Sequence, residues 1–97
     1  MKQKDRNKQA AKELAVSFTD NAWDDYQYWL QTDQKIFNRI NELINECKNN
    51  PFKGTGKPEP LKDNLTGYWS RRINQVDRLV YLPEDNAIYI VACRFHY

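Results

Sequence analysis

Glu59, Arg72, Arg78 and His96 are residue types that can together hold a phosphate and move protons. His96 is the single histidine and the next-to-last residue of the 97, and imidazole is the side chain whose unperturbed pKa lies near neutrality. It sits in the closing segment Cys93-Arg94-Phe95-His96-Tyr97. The apolar run Ala87-Ile88-Tyr89-Ile90-Val91-Ala92 before it reads as a buried strand, which would tie an ordinarily frayed terminus into a sheet. Glu59 lies among Lys57, Lys62 and two prolines, and nearby ammonium groups keep a carboxylate ionised. Arg72 and Arg78 fall on two segments that read as adjacent antiparallel strands, close enough for a shared phosphate clamp of planar guanidinium groups. Tyr68, Trp69, Phe95 and Tyr97 offer rings to unpaired bases, although Trp69 lies opposite Tyr68 and Arg72 in the strand alternation and reads as core.

This set fits metal-free cleavage of an RNA phosphodiester. The substrate carries its own nucleophile, the 2′-hydroxyl, so the protein must supply a base, a cation for the phosphorane and an acid for the 5′-oxygen. Glu59 is the candidate base, Arg72 and Arg78 the candidate cations and His96 the candidate acid. Residue types alone leave plainer readings open: a solvated loop glutamate, exposed edge arginines and a histidine that ends a strand. No cluster of His, Cys and acidic residues has metal-ligand spacing, so the expected chemistry uses no metal and no cofactor.

The net charge of +2 conceals an uneven distribution. Residues 1–12 carry a net +4, residues 13–47 a net −5, residues 48–78 a net +4 and residues 79–97 a net −1. An acidic half beside a basic loop and first strands points to a polyanion on one side of the molecule. Two distant cysteines, Cys47 and Cys93, make neither a redox nor a metal motif, and a reduced, cytoplasmic protein is expected. No apolar run is long enough to span a membrane.

Residues 1–13 are polar and basic and read as a flexible arm, with 14–97 a single domain. Leu14–Phe18 reads as a short strand. Thr19 or Asp20 caps a first helix with Trp23, Tyr26 and Leu30 on one stripe, and Thr32 caps a second with Ile36, Phe37, Ile40, Leu43, Ile44 and Cys47 at helical spacing. Pro51 to Thr66 has no period and reads as a long basic loop. Three strands follow, near 68–73, 78–82 and 87–96, the last with Ile88, Ile90, Ala92, Arg94 and His96 on one face. The expected fold is α+β: two N-terminal helices packed on one face of a small antiparallel sheet, the other face left to the loop and the basic residues.

Six blocks carry a resemblance to a known family: Trp23-Asp24-Asp25-Tyr26, Ile40-Asn41-Glu42-Leu43-Ile44, Gly56-Lys57-Pro58-Glu59-Pro60-Leu61-Lys62, Tyr68-Trp69-Ser70-Arg71-Arg72-Ile73, Arg78-Leu79-Val80-Tyr81 and Ala92-Cys93-Arg94-Phe95-His96-Tyr97. In order and spacing they resemble the YoeB family of RelE-like toxins from Leu14 to the C-terminus. The resemblance implies a RelE-like fold and a bacterial type II toxin that cleaves messenger RNA in the ribosomal A site. It places the family's catalytic glutamate on Glu59, its transition-state arginine on Arg78, its acid histidine on His96 and its terminal tyrosine on Tyr97. Supporting basic residues fall on Lys62 and Arg72, with Lys57 and Arg94 as further RNA contacts. It also implies a homodimer and a YefM-type antitoxin with a disordered tail. Asn74-Gln75-Val76-Asp77 is less acidic than that family's pattern. Two other readings share the scaffold or the surface: a ParE-like toxin acting on DNA gyrase, which needs no base and acid, and a non-catalytic RNA-binding module, which is indifferent to His96.

Overall fold

The computed structural model describes residues 14–95; the expected arm at 1–13 and the two terminal residues His96 and Tyr97 lie outside them. In chain order the elements are β1 (Ala15–Phe18), α1 (Asp20–Thr32), α2 (Gln34–Asn49), β2 (Glu59–Pro60), a 3-10 turn (Asp63–Leu65), β3 (Trp69–Arg72), β4 (Arg78–Pro83) and β5 (Ala87–Ala92). The sheet runs β1-β5-β4-β3-β2. Its β5, β4, β3 and β2 neighbours are antiparallel, while β1 lies parallel to β5. The parallel edge follows from connectivity, because the helical hairpin and three strands separate β1 from β5 and no tight turn joins them.

Thr19 caps α1, its hydroxyl accepting the Ala22 N–H. Asp33, rather than the expected Thr32, caps α2 by accepting the Ile36 N–H. Thr32 is still within α1, where its hydroxyl donates back to the Tyr28 carbonyl. The stripe expected on α2 is present: Ile40, Leu43, Ile44 and Cys47 are buried, with Ile36 and Phe37 packed against the same cluster. On α1 the buried residues are Ala22 and Trp29, and Trp23 and Leu30 are exposed. Trp29 decides that rotation, because its indole N–H donates to the Cys93 carbonyl at 2.8 Å and draws its face of the helix onto β5.

Both helices cover one sheet face, where Leu79, Tyr81, Ile88, Ile90 and Cys93 complete the core. The last strand does not keep the expected alternation. Tyr81 pairs with Ile90 but Val80 with Ala92, so Val91 is an extra residue in a β-bulge. Cys93 therefore joins Ile88 and Ile90 in the core instead of sharing a face with Tyr89. Burial pushes its thiol up to about 12, which leaves it an inert small hydrophobe.

The basic loop is built around Arg71, which is fully buried. Its Nε donates to the Tyr81 hydroxyl, Nη1 to Glu46 Oε1 and the Thr55 carbonyl, and Nη2 to the Asn50 and Lys53 carbonyls, over 2.7 to 3.3 Å. All five N–H groups of the guanidinium are thereby satisfied. Tyr81 in turn donates to the Pro51 carbonyl at 2.6 Å. Two loop glycines answer to this arrangement. Gly54 has φ +127°, and a Cβ there would run into the Glu46 carboxylate and the Arg71 guanidinium. Gly56 has φ +87°, and a Cβ would lie 3.0 Å from the Arg72 carbonyl oxygen.

Removing one partner of a buried charge network costs about 3–5 kcal/mol, a large part of the ~5–15 kcal/mol of a small domain. Arg71→Ala is therefore expected to leave the protein largely unfolded at 37 °C, as seen by circular dichroism or a lowered urea midpoint. Glu46→Gln should cost less than about 1 kcal/mol, because the carboxylate is half exposed and an amide oxygen can still accept the Thr55 N–H.

Acid should erase that smaller difference. Hydrogen bonds from Thr55, with the Arg71 charge behind them, hold the Glu46 carboxyl below its ordinary value of 4.5. A depressed acid contributes stability above its unfolded pKa and loses it as pH falls through the folded one. The wild-type advantage over Glu46→Gln, measured by urea unfolding, should be constant from neutrality to about pH 5 and shrink below it. A difference unchanged at about pH 3 would show that the ion pair is not its source.

Candidate active site

The sheet face away from the helices carries Glu59, Arg72 and Arg78, and the strand register places them. Glu59 pairs with Ser70 across β2 and β3, Ser70 with Val80, and Val80 with Ala92. Directly paired residues point to the same side of a sheet, so Glu59, Ser70, Val80 and Ala92 form one transverse row on the face away from the helices. Arg72 pairs with Arg78, also on that face and two positions further along β3 and β4. Glu59 thus stands one row from two arginines that face each other.

The two-residue strand β2 was read from sequence as loop, since prolines and glycines hide a short edge strand. Arg72 N–H donates to the Gly56 carbonyl at 2.7 Å and Leu61 N–H to the Tyr68 carbonyl at 2.8 Å, which fastens both ends of the Glu59 segment to β3. Glu59, Lys57 and Lys62 are exposed, and Lys57 adopts a positive φ of 51° where the chain turns into β2.

Like charges placed directly opposite on a sheet destabilise it. Among the described residues neither Arg72 nor Arg78 has a carboxylate partner. Arg78 is held by Nη1 alone, which donates to the Asn74 and Asp77 carbonyls at 2.8 and 3.2 Å. Its Nε and Nη2 have no acceptor among the described residues. Arg72 is exposed, and its side chain makes no hydrogen bond among the described residues. Two unneutralised guanidinium groups beside a carboxylate, that of Arg78 held by the turn, can bind an anion and leave a base at its edge.

Next to the row lies an open hollow of about 300 Å³, lined by Leu65, Tyr68, Val80, Val91 and Ala92. It is apolar and large enough for a planar ring, and Tyr68 from the loop forms one wall. Trp69 faces the core and packs on Phe52, ring centroids 5.0 Å apart, as its alternation predicted.

Arg94 lies elsewhere, its guanidinium 3.5 Å from the ring centroid of Tyr28 on α1 and 4.5 Å from that of Phe95. The chain is described as far as Phe95, whose carbonyl accepts the Arg78 N–H at 3.1 Å. His96 and Tyr97 follow it in sequence and lie outside the described residues. Sequence reasoning passed over Asp25 and Asp77, which hold this end of the chain. Asp25 Oδ2 accepts the Cys93 N–H at 3.0 Å and Asp77 Oδ1 the Phe95 N–H at 2.6 Å. Burial is the main reason that the Asp25 carboxyl is raised above its ordinary value. The available signal was the Asn74-Gln75-Val76-Asp77 stretch, less acidic than the family's pattern, whose one carboxylate is buried in the structure.

Comparison with known proteins accounts for this arrangement. Residues 18–97 match the family described as YoeB-like toxin of bacterial type II toxin-antitoxin systems. Toxin YoeB of Escherichia coli strain K12 is 54% identical over 84 residues, covering 87% of this chain and all of that one. A solved YoeB dimer from Staphylococcus aureus superposes with a TM-score of 0.82 at 49% identity, over 88% of this chain and 99% of that one. A YoeB-YefM complex from the same organism gives 0.80 at 48% identity, over 87% and 98%. The fold is the RelE-like one that the resemblance implied. This chain belongs to the YoeB-like toxins of bacterial type II toxin–antitoxin systems.

Proposed function

We propose that this toxin is a ribosome-dependent endoribonuclease that cleaves messenger RNA in the A site without a metal. The observation that carries the reading is the register that sets Glu59 one row from the unneutralised pair Arg72 and Arg78. In this reading Glu59 takes the proton from the substrate 2′-hydroxyl, and the 2′-oxygen attacks the phosphorus. Arg78, steadied by the turn carbonyls, stabilises the charge that builds on the phosphorane, and Arg72 shares it. The bond from phosphorus to the 5′-oxygen then breaks, and His96 protonates the departing oxygen, with Tyr97 beside it in the sequence as a further donor. The products are a 2′,3′-cyclic phosphate and a 5′-hydroxyl. Lys57 and Lys62 carry neighbouring phosphates of the message, and bases splayed from it stack in the hollow at Tyr68. Arg94 anchors the end of the chain on Tyr28 in this reading and is not a phosphate ligand.

Substrate and partners follow from the same charges. A translating ribosome presents single-stranded message in a polyanionic setting, which suits a basic face rather than a deep pocket, and places the protein in the bacterial cytoplasm. The Staphylococcus aureus structures, titled as a dimer and as a YoeB-YefM complex, support a homodimer and a YefM-type antitoxin for this chain. An acidic antitoxin segment would compete with RNA for Arg72 and Arg78 and inhibit by occupying them.

The decisive experiment gives the protein programmed ribosomes and a message carrying a single 2′-deoxy substitution at the scissile nucleotide. The ribo message should be cut with the end groups named above, in chelator as well as without it, and the deoxy message should resist. Glu59→Ala and His96→Ala should each slow cleavage by roughly a hundredfold or more with little change in ribosome affinity. Arg72→Ala should weaken binding as well. Efficient cutting of the deoxy message would exclude the pathway.

A further inference from the structure

The turn between β3 and β4 holds two things at once. Asn74 Oδ1 accepts the Val76 and Asp77 N–H groups at 2.8 and 2.6 Å, and the Ile73 N–H donates to the Asp77 carbonyl at 3.0 Å. The resulting compact turn presents the Asn74 and Asp77 carbonyls to Arg78 Nη1. Its buried carboxylate, Asp77, faces the opposite strand end: Oδ2 accepts the Asn74 Nδ2 donor at 3.1 Å and Oδ1 accepts the Phe95 N–H at 2.6 Å. Phe95 has φ +68°, the left-handed region that a phenylalanine avoids unless its surroundings impose it. Here they do, from both sides of the residue, because its carbonyl is tied to the Arg78 N–H at 3.1 Å.

The ladder between β4 and β5 has already ended at Ala92, so the ordinary sheet bonds do not orient the chain here. Cys93 is held by Asp25 and Trp29, and Arg94 by the Tyr28 ring. Phe95 is the last link before His96, and its direction is set by Asp77 and Arg78. Phe95 is 60% exposed, so its side chain contributes little packing that could fix it instead.

We propose that Asp77 is a positioning residue for the reaction: it holds Phe95 in its left-handed conformation, and acts on the acid His96 only through that residue. This rests on the reading of His96 as the acid. One turn, residues 74–77, then holds both the Arg78 guanidinium and the Phe95 backbone. Asp77 touches no substrate and acts through Phe95.

The test is a double-mutant cycle in single-turnover cleavage on programmed ribosomes, using Asp77→Ala, His96→Ala and the double variant. A misplacement of about 1 Å costs up to about a hundredfold, so Asp77→Ala should lower the cleavage rate roughly tenfold to a hundredfold with ribosome affinity unchanged. In the His96→Ala background the same substitution should cost nothing further. A second variant guards against simple loss of folding. Exchanging the pair, Asn74→Asp with Asp77→Asn, keeps every hydrogen bond described above with one donor and one acceptor reversed, and should restore the rate to within about threefold of wild type. Hydrogen exchange at the Phe95 amide should quicken in Asp77→Ala and be slow again in the exchanged pair. Equal losses from Asp77→Ala in both backgrounds, or no recovery in a folded exchanged pair, would overturn the proposal while leaving His96 as the acid. A His96→Ala variant with an unchanged rate would remove the functional reading and this inference with it.

Discussion

Arg71 is the constraint on which the rest of this small structure depends. A guanidinium taken wholly out of water is costly, and the cost is offset only when each of its five N–H groups finds an acceptor and its charge a counterion. The chain meets that demand with Glu46 from the end of α2, the Tyr81 hydroxyl from β4 and three carbonyls of the loop at 50, 53 and 55. A segment without periodicity, which would otherwise carry a large conformational entropy, is thereby closed onto the sheet at several points. The chain leaves that closure through Gly56, whose carbonyl accepts the Arg72 N–H, and enters β2. Glu59 is set opposite Ser70 as a consequence. The position of a candidate base on an exposed edge is thus determined by a buried charge on the other side of β3.

The exposed face depends on a second irregularity, the bulge at Val91. Without the extra residue, Val80 would pair with Val91 and Cys93 would lie outside the core. With it, Val91 and Ala92 both border the hollow beside Tyr68, and Cys93 turns inward to receive Asp25 and Trp29 from α1. Bulges commonly re-aim side chains next to functional sites. Here the bulge gives the end of the chain its bonds to the helix and takes the following residues out of the regular ladder, so that Asp25, Trp29 and Asp77, with one backbone bond from Arg78, decide where it goes.

Much of this was legible in the sequence because it rests on period and punctuation. The apolar spacing of α2, the strand pair that brings Arg72 opposite Arg78, and the division into a covered and an uncovered face all follow from local pattern. What was not legible depends on contacts distant in sequence. Trp23 and Leu30 looked like core because they are large and apolar, but the Trp29 hydrogen bond to Cys93, 64 residues away, rotates α1 and leaves them exposed. Asp33 displaces Thr32 as the cap because α1 runs through Thr32 itself, one residue further than that reading allowed. Arg71 looked like one more basic residue of a basic block, since nothing in a linear sequence announces that α2, β4 and the loop will converge on it. Within the candidate site the base and both cations were readable by type, while Asp77, which shapes the site by holding backbone, carried only the faint signal of a lone acid closing the uncharged run Asn74-Gln75-Val76.

The adjacent pair Arg71 and Arg72 shows how closely structure and function are interleaved. The two differ by one position and, in a strand, by one face. Inward, the guanidinium is fully neutralised and organises a loop; outward, it stands across from Arg78 with no carboxylate beside it. A slip of one residue in the β3 register would exchange the roles, burying the unpaired charge and exposing the paired one, so every alternative register is heavily penalised. The same penalty that protects the fold keeps two like charges facing each other on the open side, where their repulsion can be relieved by a bound phosphate. The stability of the inner arginine is therefore what permits the outer pair to remain unsatisfied, and an unsatisfied pair at a fixed register is what an anionic substrate requires.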